Sequence, residues 1–180
     1  LEILLTKIKP DFILVYGDTN STLSGALAAS KLNYPIVHIE AGLRSYNMKM
    51  PEEINRVLTD RLSHFLFCPS DLAKDNLIKE GYENYSSQIH VVGDIMLDGI
   101  NLIINKVNFT NPVNYPYIIC TIHRQENTDD IRKFEDIIAG LNEISKAMKI
   151  VFPMHPRTKR LLKKNNLKIN KNIILEEPMN

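Results

Sequence analysis

The stretch Val15-Tyr16-Gly17-Asp18-Thr19-Asn20-Ser21-Thr22 joins two patterns that together decide the fold. An apolar, β-prone run, Phe12–Tyr16, leads into it, and a segment rich in Leu and Ala follows from Asn20 to Asn33. The sequence therefore predicts a strand, a tight turn and a helix. In open α/β sheets such turns line the crevice at the carboxyl ends of the strands, where ligands bind. Asp18 is thus predicted to lie at a ligand-facing edge, although helix capping by Asp18 or Asn20 would explain the same residues.

The same alternation of strand and helix continues along the chain and predicts doubly wound parallel sheets. Residues 107–116 carry Asn-Pro and Tyr-Pro steps without periodicity, which is typical of a linker. We predict two Rossmann-like domains: residues 1–106 form the carboxyl-terminal part of one and residues 117–180 the amino-terminal part of the next. Both are expected to be incomplete, because the chain begins at Leu1 without a methionine and ends just after a strand-like run. The predicted strands are Phe12–Tyr16, Ile36–Glu40, Phe65–Cys68, Ile89–Val92, Tyr117–Thr121, Lys149–Phe152 and Asn172–Leu175.

The composition is that of an ordinary globular protein. The 180 residues are 44% hydrophobic and 24% charged with a net charge of +1, so no overall field indicates binding to nucleic acid or to a membrane surface. No transmembrane run or signal peptide is visible. Cys68 and Cys120 lie in separate apolar runs and indicate buried thiols in a reducing cytoplasm. A basic cluster is interpreted as the solvated face of a helix: Arg157, Lys159, Arg160, Lys163 and Lys164.

Acidic residues follow the predicted strands of the first part. Asp18 and Glu40 each end a strand, and Glu52 opens a helix whose amino terminus should point at the same crevice. We therefore expect three carboxylates from three consecutive strand-to-helix connections, with His38 on the same strand face as Glu40. Each acid also has a simpler explanation. Asp18 could cap a helix, Glu40 could form an ion pair with Arg44 or Arg56, and Glu52 could be a favourable charge at a helix amino terminus.

Two basic motifs follow strands of the second part, His-Arg-Gln-Glu-Asn at 123–127 and Met-His-Pro-Arg at 154–157. Facing the carboxylates, they would make a cleft with an anion site on one wall and acid/base groups on the other. Metal binding by His123, Glu126 and His155 is an alternative, but no helical histidine pair or cysteine ligand set accompanies them. The sequence has no Walker motif and no Gly-x-Gly-x-x-Gly after a strand. It also has no Ser or Cys nucleophile motif, and this absence argues against covalent acyl chemistry.

Five motifs, taken in order along essentially the whole chain, resemble the non-hydrolysing UDP-N-acetylglucosamine 2-epimerases. The resemblance implies two Rossmann-like domains, similar to the GT-B glycosyltransferases, with a UDP-sugar bound between them. It implies no cofactor and no metal. The motifs are Gly-Asp-Thr at 17–19, His-Ile-Glu-Ala-Gly-Leu-Arg at 38–44, Pro-Glu-Glu-Ile-Asn-Arg at 51–56, His-Arg-Gln-Glu-Asn at 123–127 and His-Pro-Arg at 155–157.

The resemblance also implies roles for individual residues. Asp18, Glu40 and Glu52 match the family's essential acids, and His123 matches its essential histidine. Two positions, Arg124 and His155, match residues that contact a second, regulatory UDP-sugar in bacterial members. We expect substrate contacts from Thr19, Arg44, Arg56, Arg124, Glu126 and His155.

The reaction that the resemblance implies inverts C2 of the sugar from gluco to manno. UDP is first expelled from C1, which gives oxocarbenium character; the C2 proton is then removed to form a glycal, and re-addition from the other face completes the inversion. The histidine at 123 would stabilise charge on the departing diphosphate. One acid should be protonated in the resting cleft, which requires a pKa raised by burial or by a like-charge neighbour.

The resemblance also implies a cytoplasmic homodimer that feeds cell-surface polysaccharide synthesis.

The sequence departs from the family in ways that leave alternatives open. A Gly-rich, Arg-containing turn and a later Asp-Ser-Gly-Gly region are missing, so the chain alone is expected to be poorly active or inactive. The loop from Glu40 to Glu52 is shorter than in many members and resembles the branch that includes 2-epimerases of UDP-2,3-diacetamido-2,3-dideoxyglucuronate. Other readings are a GT-B glycosyltransferase, a hydrolysing relative that releases free N-acetylmannosamine, and a binding module without turnover.

Overall fold

The structure, a computed structural model, describes residues 1–106, 115–122 and 124–178. The chain divides into two compact units, Leu1–Phe109 and Thr110–Asn180. Most of the predicted linker, residues 107–114, lies outside the described residues, so the linker and the domain bounds derived from it stay predictions.

The first unit is a parallel four-stranded sheet with helices between its strands. The strands lie in the order β1-β2-β3-β4, and neighbouring strands run parallel in register, with Tyr16 beside Ile39 at the carboxyl end of the first pair. The predicted parallel sheet is therefore confirmed for this unit. In chain order its elements are α1 (Glu2–Ile8), β1 (Ile13–Tyr16), α2 (Asn20–Lys31), β2 (Ile36–Ile39), α3 (Pro51–Leu62), β3 (Phe65–Cys68), α4 (Asp71–Lys79), a 3₁₀ turn (Tyr82–Asn84), β4 (Gln88–Val91) and α5 (Ile95–Ile104).

Small side chains allow the helices of this unit to lie close to the sheet. Ala26 and Ala29 of α2 are fully buried and pack with Val15 and Ile36 of the two strands beneath. A second cluster includes Cys68 and packs α4 onto β3. Both cysteines are free thiols, as predicted, but only Cys68 is buried as expected, whereas Cys120 is half-buried. This packing fixes the carboxyl ends of β1 and β2 relative to the helices that follow them.

The second unit is a parallel three-stranded sheet in the order β5-β6-β7. Phe134 and Phe152 are fully buried at the centre of its core, between the sheet and the longest helix. Asp130 caps that helix by accepting hydrogen bonds from two backbone N–H groups, so the helix begins one residue after the cap. Its elements are β5 (Tyr117–Ile119), α6 (Gln125–Thr128), α7 (Ile131–Ile144), β6 (Lys149–Pro153), α8 (Pro156–Lys164) and β7 (Ile173–Glu176).

Across the described ranges, every helix is too short or too polar to cross a lipid bilayer.

Candidate active site

Two of the predicted acids lie together at the carboxyl edge of the first sheet. β1 ends at Tyr16 and β2 at Ile39, side by side, so the connections that follow leave the sheet at the same edge. The carboxylate of Glu40 lies against the turn that carries Asp18, since its Oε2 is 3.4 Å from the place a Cβ on Gly17 would occupy. The structure thus brings both side chains to one crevice.

The expectation of three separate connections is wrong. Glu40 and Glu52 both belong to the connection between β2 and α3, because the loop after β2 runs directly into that helix. Glu52 is an exposed residue in the first turn of α3, where a carboxylate is favourable. The three acids therefore come from two neighbouring connections, and no described contact joins Glu52 to the other two.

The residue that caps α2 is Thr19, not Asp18 or Asn20. The Thr19 hydroxyl accepts a hydrogen bond from the Thr22 N–H at 3.3 Å, and the Thr22 hydroxyl accepts one from the Thr19 N–H at 3.2 Å. This reciprocal arrangement is a capping box. Capping therefore does not explain Asp18, whereas Thr19 has a structural role and its predicted substrate contact stays a prediction.

Helix α3 binds the turn that carries Asp18. The Arg56 guanidinium donates to Asp18 Oδ2 at 2.5 Å, and the Asn55 amide donates to the Asp18 backbone carbonyl at 2.9 Å. Arg56 also donates to the carboxylate of Glu53, so it bridges two acids and is only 12% exposed. The simple explanation of Glu40 as an ion-pair partner of Arg56 is not what the structure shows, and whether Arg56 contacts substrate stays a prediction.

Glu40 has an unusual backbone and a perturbed carboxyl group. Its φ is 77°, a left-handed conformation that a non-glycine residue rarely adopts and that costs energy unless the surrounding structure enforces it. Desolvation by neighbouring atoms raises the pKa of the Glu40 carboxyl, and the negative charges of Asp18 and Asp94 raise it further. Arg56 and His38 act in the opposite direction with smaller effects. This is the direction expected of the acid that holds a proton in the resting cleft, and the assignment of that role to Glu40 stays a prediction.

Glu53 was not identified from the sequence, yet it organises the loop between the two acids of that connection. Its side chain is only 1% exposed and accepts hydrogen bonds from the N–H groups of Ser45 and Tyr46, at 3.0 and 2.8 Å. Burial acts most strongly on its pKa and raises it, but these hydrogen bonds and the charge of Arg56 together outweigh burial, so the pKa of Glu53 is lowered. The buried acid next to Pro51 and Glu52 is thus a structural carboxylate.

We expect Glu53→Gln to lower the free energy of unfolding by about 2 kcal/mol at neutral pH, because it removes a buried charge with three donors. The pKa of Glu53 is lower in the folded protein, so its stabilising contribution is present above the ordinary glutamate value and is lost as pH falls through the folded value. Chemical denaturation measured from acidic to neutral pH should show that the difference in the free energy of unfolding between wild type and variant becomes smaller as the pH falls. The neighbouring Glu52→Gln is the control, with a loss of about 0.5 kcal/mol; an equal loss in both variants would contradict the assignment.

Arg44 is bound to protein groups and not to Glu40. Its side chain is 1% exposed; it donates to both carboxylate oxygens of Glu80, at 2.6 and 2.8 Å, and to Asp60 Oδ2 at 2.7 Å. Burial lowers the pKa of the guanidinium, but these charge-assisted bonds together outweigh burial and raise the pKa above its usual value. The described contacts favour a structural role for Arg44 over the substrate contact predicted for it.

The second unit brings two of its predicted residues to the carboxyl edge of its own sheet. His155 caps α8 through Nδ1, which accepts from the Arg157 N–H at 3.2 Å, and the Thr158 hydroxyl donates to the Ile122 carbonyl at 2.5 Å. The second bond ties α8 to the connection between β5 and α6, which also carries Arg124. His123 and the side chain of Glu126 lie outside the described residues, so their roles stay predictions.

Comparison with known proteins supplies the family. The sequence profile of the UDP-N-acetylglucosamine 2-epimerase family matches residues 1–180. A Pseudomonas aeruginosa protein named UDP-2,3-diacetamido-2,3-dideoxy-D-glucuronate 2-epimerase is 49% identical over 97% of this chain and 50% of its own length. The UDP-N-acetylglucosamine 2-epimerase of Methanocaldococcus jannaschii is 45% identical over 99% of this chain and 52% of its own length.

Solved structures agree with the sequence relatives. The crystal structure of the M. jannaschii UDP-GlcNAc 2-epimerase in complex with UDP-GlcNAc and UDP matches with a TM-score of 0.79 at 41% identity, over 99% of this chain and 52% of that one. That of the Neisseria meningitidis enzyme bound to UDP-GlcNAc matches with a TM-score of 0.82 at 32% identity, over the same shares. The predicted fold class, Rossmann-like units of the GT-B-like kind with parallel sheets, is confirmed. This chain spans about half the length of the curated relatives it matches. It belongs to the UDP-N-acetylglucosamine 2-epimerase family.

Proposed function

We propose that the complete protein inverts C2 of a UDP-sugar, converting UDP-N-acetylglucosamine to UDP-N-acetylmannosamine. The observation that carries the proposal is the pair of acids at the carboxyl edge of the first sheet. Asp18 is bound to the Arg56 guanidinium, whereas desolvation and like charges raise the pKa of Glu40 beside it. A carboxylate held by a cation, next to a carboxyl group whose pKa is raised, suits a reaction that removes a proton from one face of a ring and returns it to the other.

The chemistry proceeds through elimination and re-addition. The C1–O bond breaks and its electron pair leaves with the β-phosphate oxygen of UDP; a carboxylate then takes the C2 proton, and the C–H electron pair forms the C1–C2 double bond of a glycal. In the return step a carboxylic acid protonates C2 from the opposite face, and the UDP oxygen bonds to C1 again. We assign the proton-holding role to Glu40, since its surroundings favour the protonated form. Asp18 and Glu52 are the candidates for the opposite role, and His123 for stabilising the departing diphosphate.

A second substrate is supported by a specific relative. The P. aeruginosa protein that matches at 49% identity is named for UDP-2,3-diacetamido-2,3-dideoxy-D-glucuronate. The short loop from Glu40 to Glu52 resembles the same branch. We therefore propose this diacetamido sugar as the alternative substrate of the same reaction.

The remaining partners of the complete protein also belong to this proposal. Arg124 and His155 lie at one edge of the second sheet, which suits a contact with a second, regulatory UDP-sugar. The free thiols of Cys68 and Cys120 suit a reducing cytoplasm. A homodimer is proposed from the family resemblance.

The test uses the complete protein with each UDP-sugar alone and no acceptor. We expect the C2 epimer of one of the two sugars to form, with no free sugar or free UDP accumulating, because UDP returns to C1 in each cycle. The ratio of kcat/KM for the two sugars identifies the substrate. Absence of conversion of both sugars without an acceptor would favour a glycosyltransferase or a binding module, and release of free N-acetylmannosamine with UDP would favour a hydrolysing enzyme.

A further inference from the structure

One buried carboxylate, that of Asp60, contacts three parts of the acid-bearing edge. Asp60 lies in the last turns of α3 and is fully buried. Its Oδ1 is 2.6 Å from Nδ1 of His38, while its Oδ2 accepts from the Gly42 N–H at 3.1 Å and from Arg44 at 2.7 Å. Through these contacts α3 is joined to strand β2 and to the loop that follows Glu40. Asp60 cannot touch a substrate, because no part of its side chain is exposed.

His38 extends the contact to the turn of the other acid. It is fully buried in β2, and its Nε2 lies 2.8 Å from the carbonyl oxygen of Gly17, the residue before Asp18. A carbonyl oxygen only accepts, so Nε2 carries a proton. The Asp60 carboxylate also accepts from the Arg44 guanidinium, and it accepts from Nδ1 when that nitrogen carries a proton. Only the protonated form of His38 donates from both ring nitrogens, and it is the charge of this form that lowers the pKa of Glu40.

Both acid-bearing segments are therefore held to the same carboxylate. Gly17 has a φ of 63° and Gly42 a φ of 80°, so each segment turns sharply at the residue that the network holds. From the proposed C2 chemistry and these contacts together, we infer that Asp60 and His38 are positioning residues that fix the distance between Asp18 and Glu40. A buried ion pair contributes little net stability, so we attribute to this network the geometry that it imposes on the two segments.

Two variants separate geometry from charge. In His38→Asn the side-chain amide nitrogen can take the place of Nδ1 and satisfy Asp60, but nothing reaches the Gly17 carbonyl. In Asp60→Asn the amide can donate to Nδ1 of a neutral His38, whose Nε2 proton still reaches Gly17, so the geometry is kept and the charge is lost. Thr59→Val is the matched control: Thr59 is fully buried next to Asp60, and its hydroxyl has no hydrogen-bond partner among the described residues.

The readouts are kcat, KM, UDP affinity and the pH profile of the complete protein, with circular dichroism to establish folding. We expect His38→Asn to lower kcat by about 10²-fold while UDP affinity changes by no more than about threefold, because misplacing a reacting group impairs turnover more than binding. Asp60→Asn should lower kcat by about tenfold or less. Thr59→Val should keep the wild-type kcat.

Asp60→Asn should also move the pH profile, which a purely structural role would not do. The charge of His38 lowers the pKa of Glu40, alongside the raising effects of Asp18 and Asp94 and the lowering effect of Arg56. Loss of the His38 charge should therefore shift the limb that belongs to Glu40 to higher pH. A folded His38→Asn variant with wild-type kcat, or an unshifted limb in folded Asp60→Asn, would overturn the inference. Wild-type protein without epimerase activity would instead refute the proposed function, so the two failures are distinguishable.

Discussion

Glu40→Gln is expected to lower kcat of the complete protein by about 10³-fold, because glutamine can neither hold nor transfer a proton. Affinity for UDP should stay near the wild-type value, since the amide has the shape of the protonated acid. The pH profile of kcat should lose one limb. The same variant should be more stable at neutral pH: the pKa of Glu40 is raised in the folded protein, so its contribution to stability is present below the ordinary glutamate value and is lost as pH rises through the folded value.

Asp94→Asn is the matched control for this prediction. Asp94 lies at the same sheet edge and caps α5 by accepting from the Met96 N–H at 2.8 Å, a role that asparagine can also fill. Its negative charge raises the pKa of Glu40, so its removal should move the Glu40 limb to lower pH without abolishing it. A Glu40→Gln variant that keeps both limbs, or a limb that moves upward in Asp94→Asn, would contradict the role assigned to Glu40.

Gly42→Ala is expected to destabilise the protein by about 4 kcal/mol, from left-handed backbone strain and steric overlap together. The φ of Gly42 is 80°, and an added Cβ would lie 2.3 Å from the backbone carbonyl oxygen of Ala73. The two nearest atoms, the carbonyl oxygen and carbonyl carbon of Ala73, belong to the backbone, so neither can move aside as a flexible side chain could. The loop would have to move away from α4, and this movement would break the hydrogen bonds that join Gly42 to Asp60 and Asn76. Chemical denaturation measures the loss.

Gly99→Ala, in the same unit, is expected to have the opposite effect on the free energy of unfolding. Gly99 lies inside α5, and among the described atoms nothing stands within 4 Å of an added Cβ. Alanine should therefore stabilise the helix by about 0.5–1 kcal/mol. If the two variants changed the free energy of unfolding in the same direction by similar amounts, the close approach of Gly42 to α4 would not be a feature of the molecule in solution.

Local patterns were sufficient to predict the parallel sheets and the sheet edge at which Asp18 and Glu40 lie. Phe12–Tyr16 differs from β1 by a residue at its start, and the turn before α2 lies where the sequence placed it. Because parallel strands present their carboxyl ends at one edge, the topology alone brought Asp18 and Glu40 together. The cap was harder to predict: Asp18 and Asn20 are intrinsically as good as Thr19, and only the backbone path decides among them.

Long-range hydrogen bonds could not be predicted from the sequence. Arg44 pairs with Glu80, 36 residues away, and Asp60 binds His38, 22 residues away, so no local pattern marks either pair. The sequence did not distinguish Glu53 from its exposed neighbour Glu52. Both acids follow Pro51, and a favourable interaction with the helix dipole would explain either of them. A helical offset offered a partial signal, because residues 53, 56 and 60 of α3 are spaced to lie on one face.

The most direct test of the central claim is deuterium exchange at C2 of the sugar. The complete protein is incubated in heavy water with UDP-N-acetylglucosamine, and in parallel with the diacetamido-glucuronate sugar, and both are followed by NMR. We predict deuterium at C2 together with the signal of the C2 epimer for one of the two sugars, and neither signal in Glu40→Gln. If folded, UDP-binding wild-type protein left C2 unlabelled in both sugars, the proposed proton transfer at this edge would be contradicted.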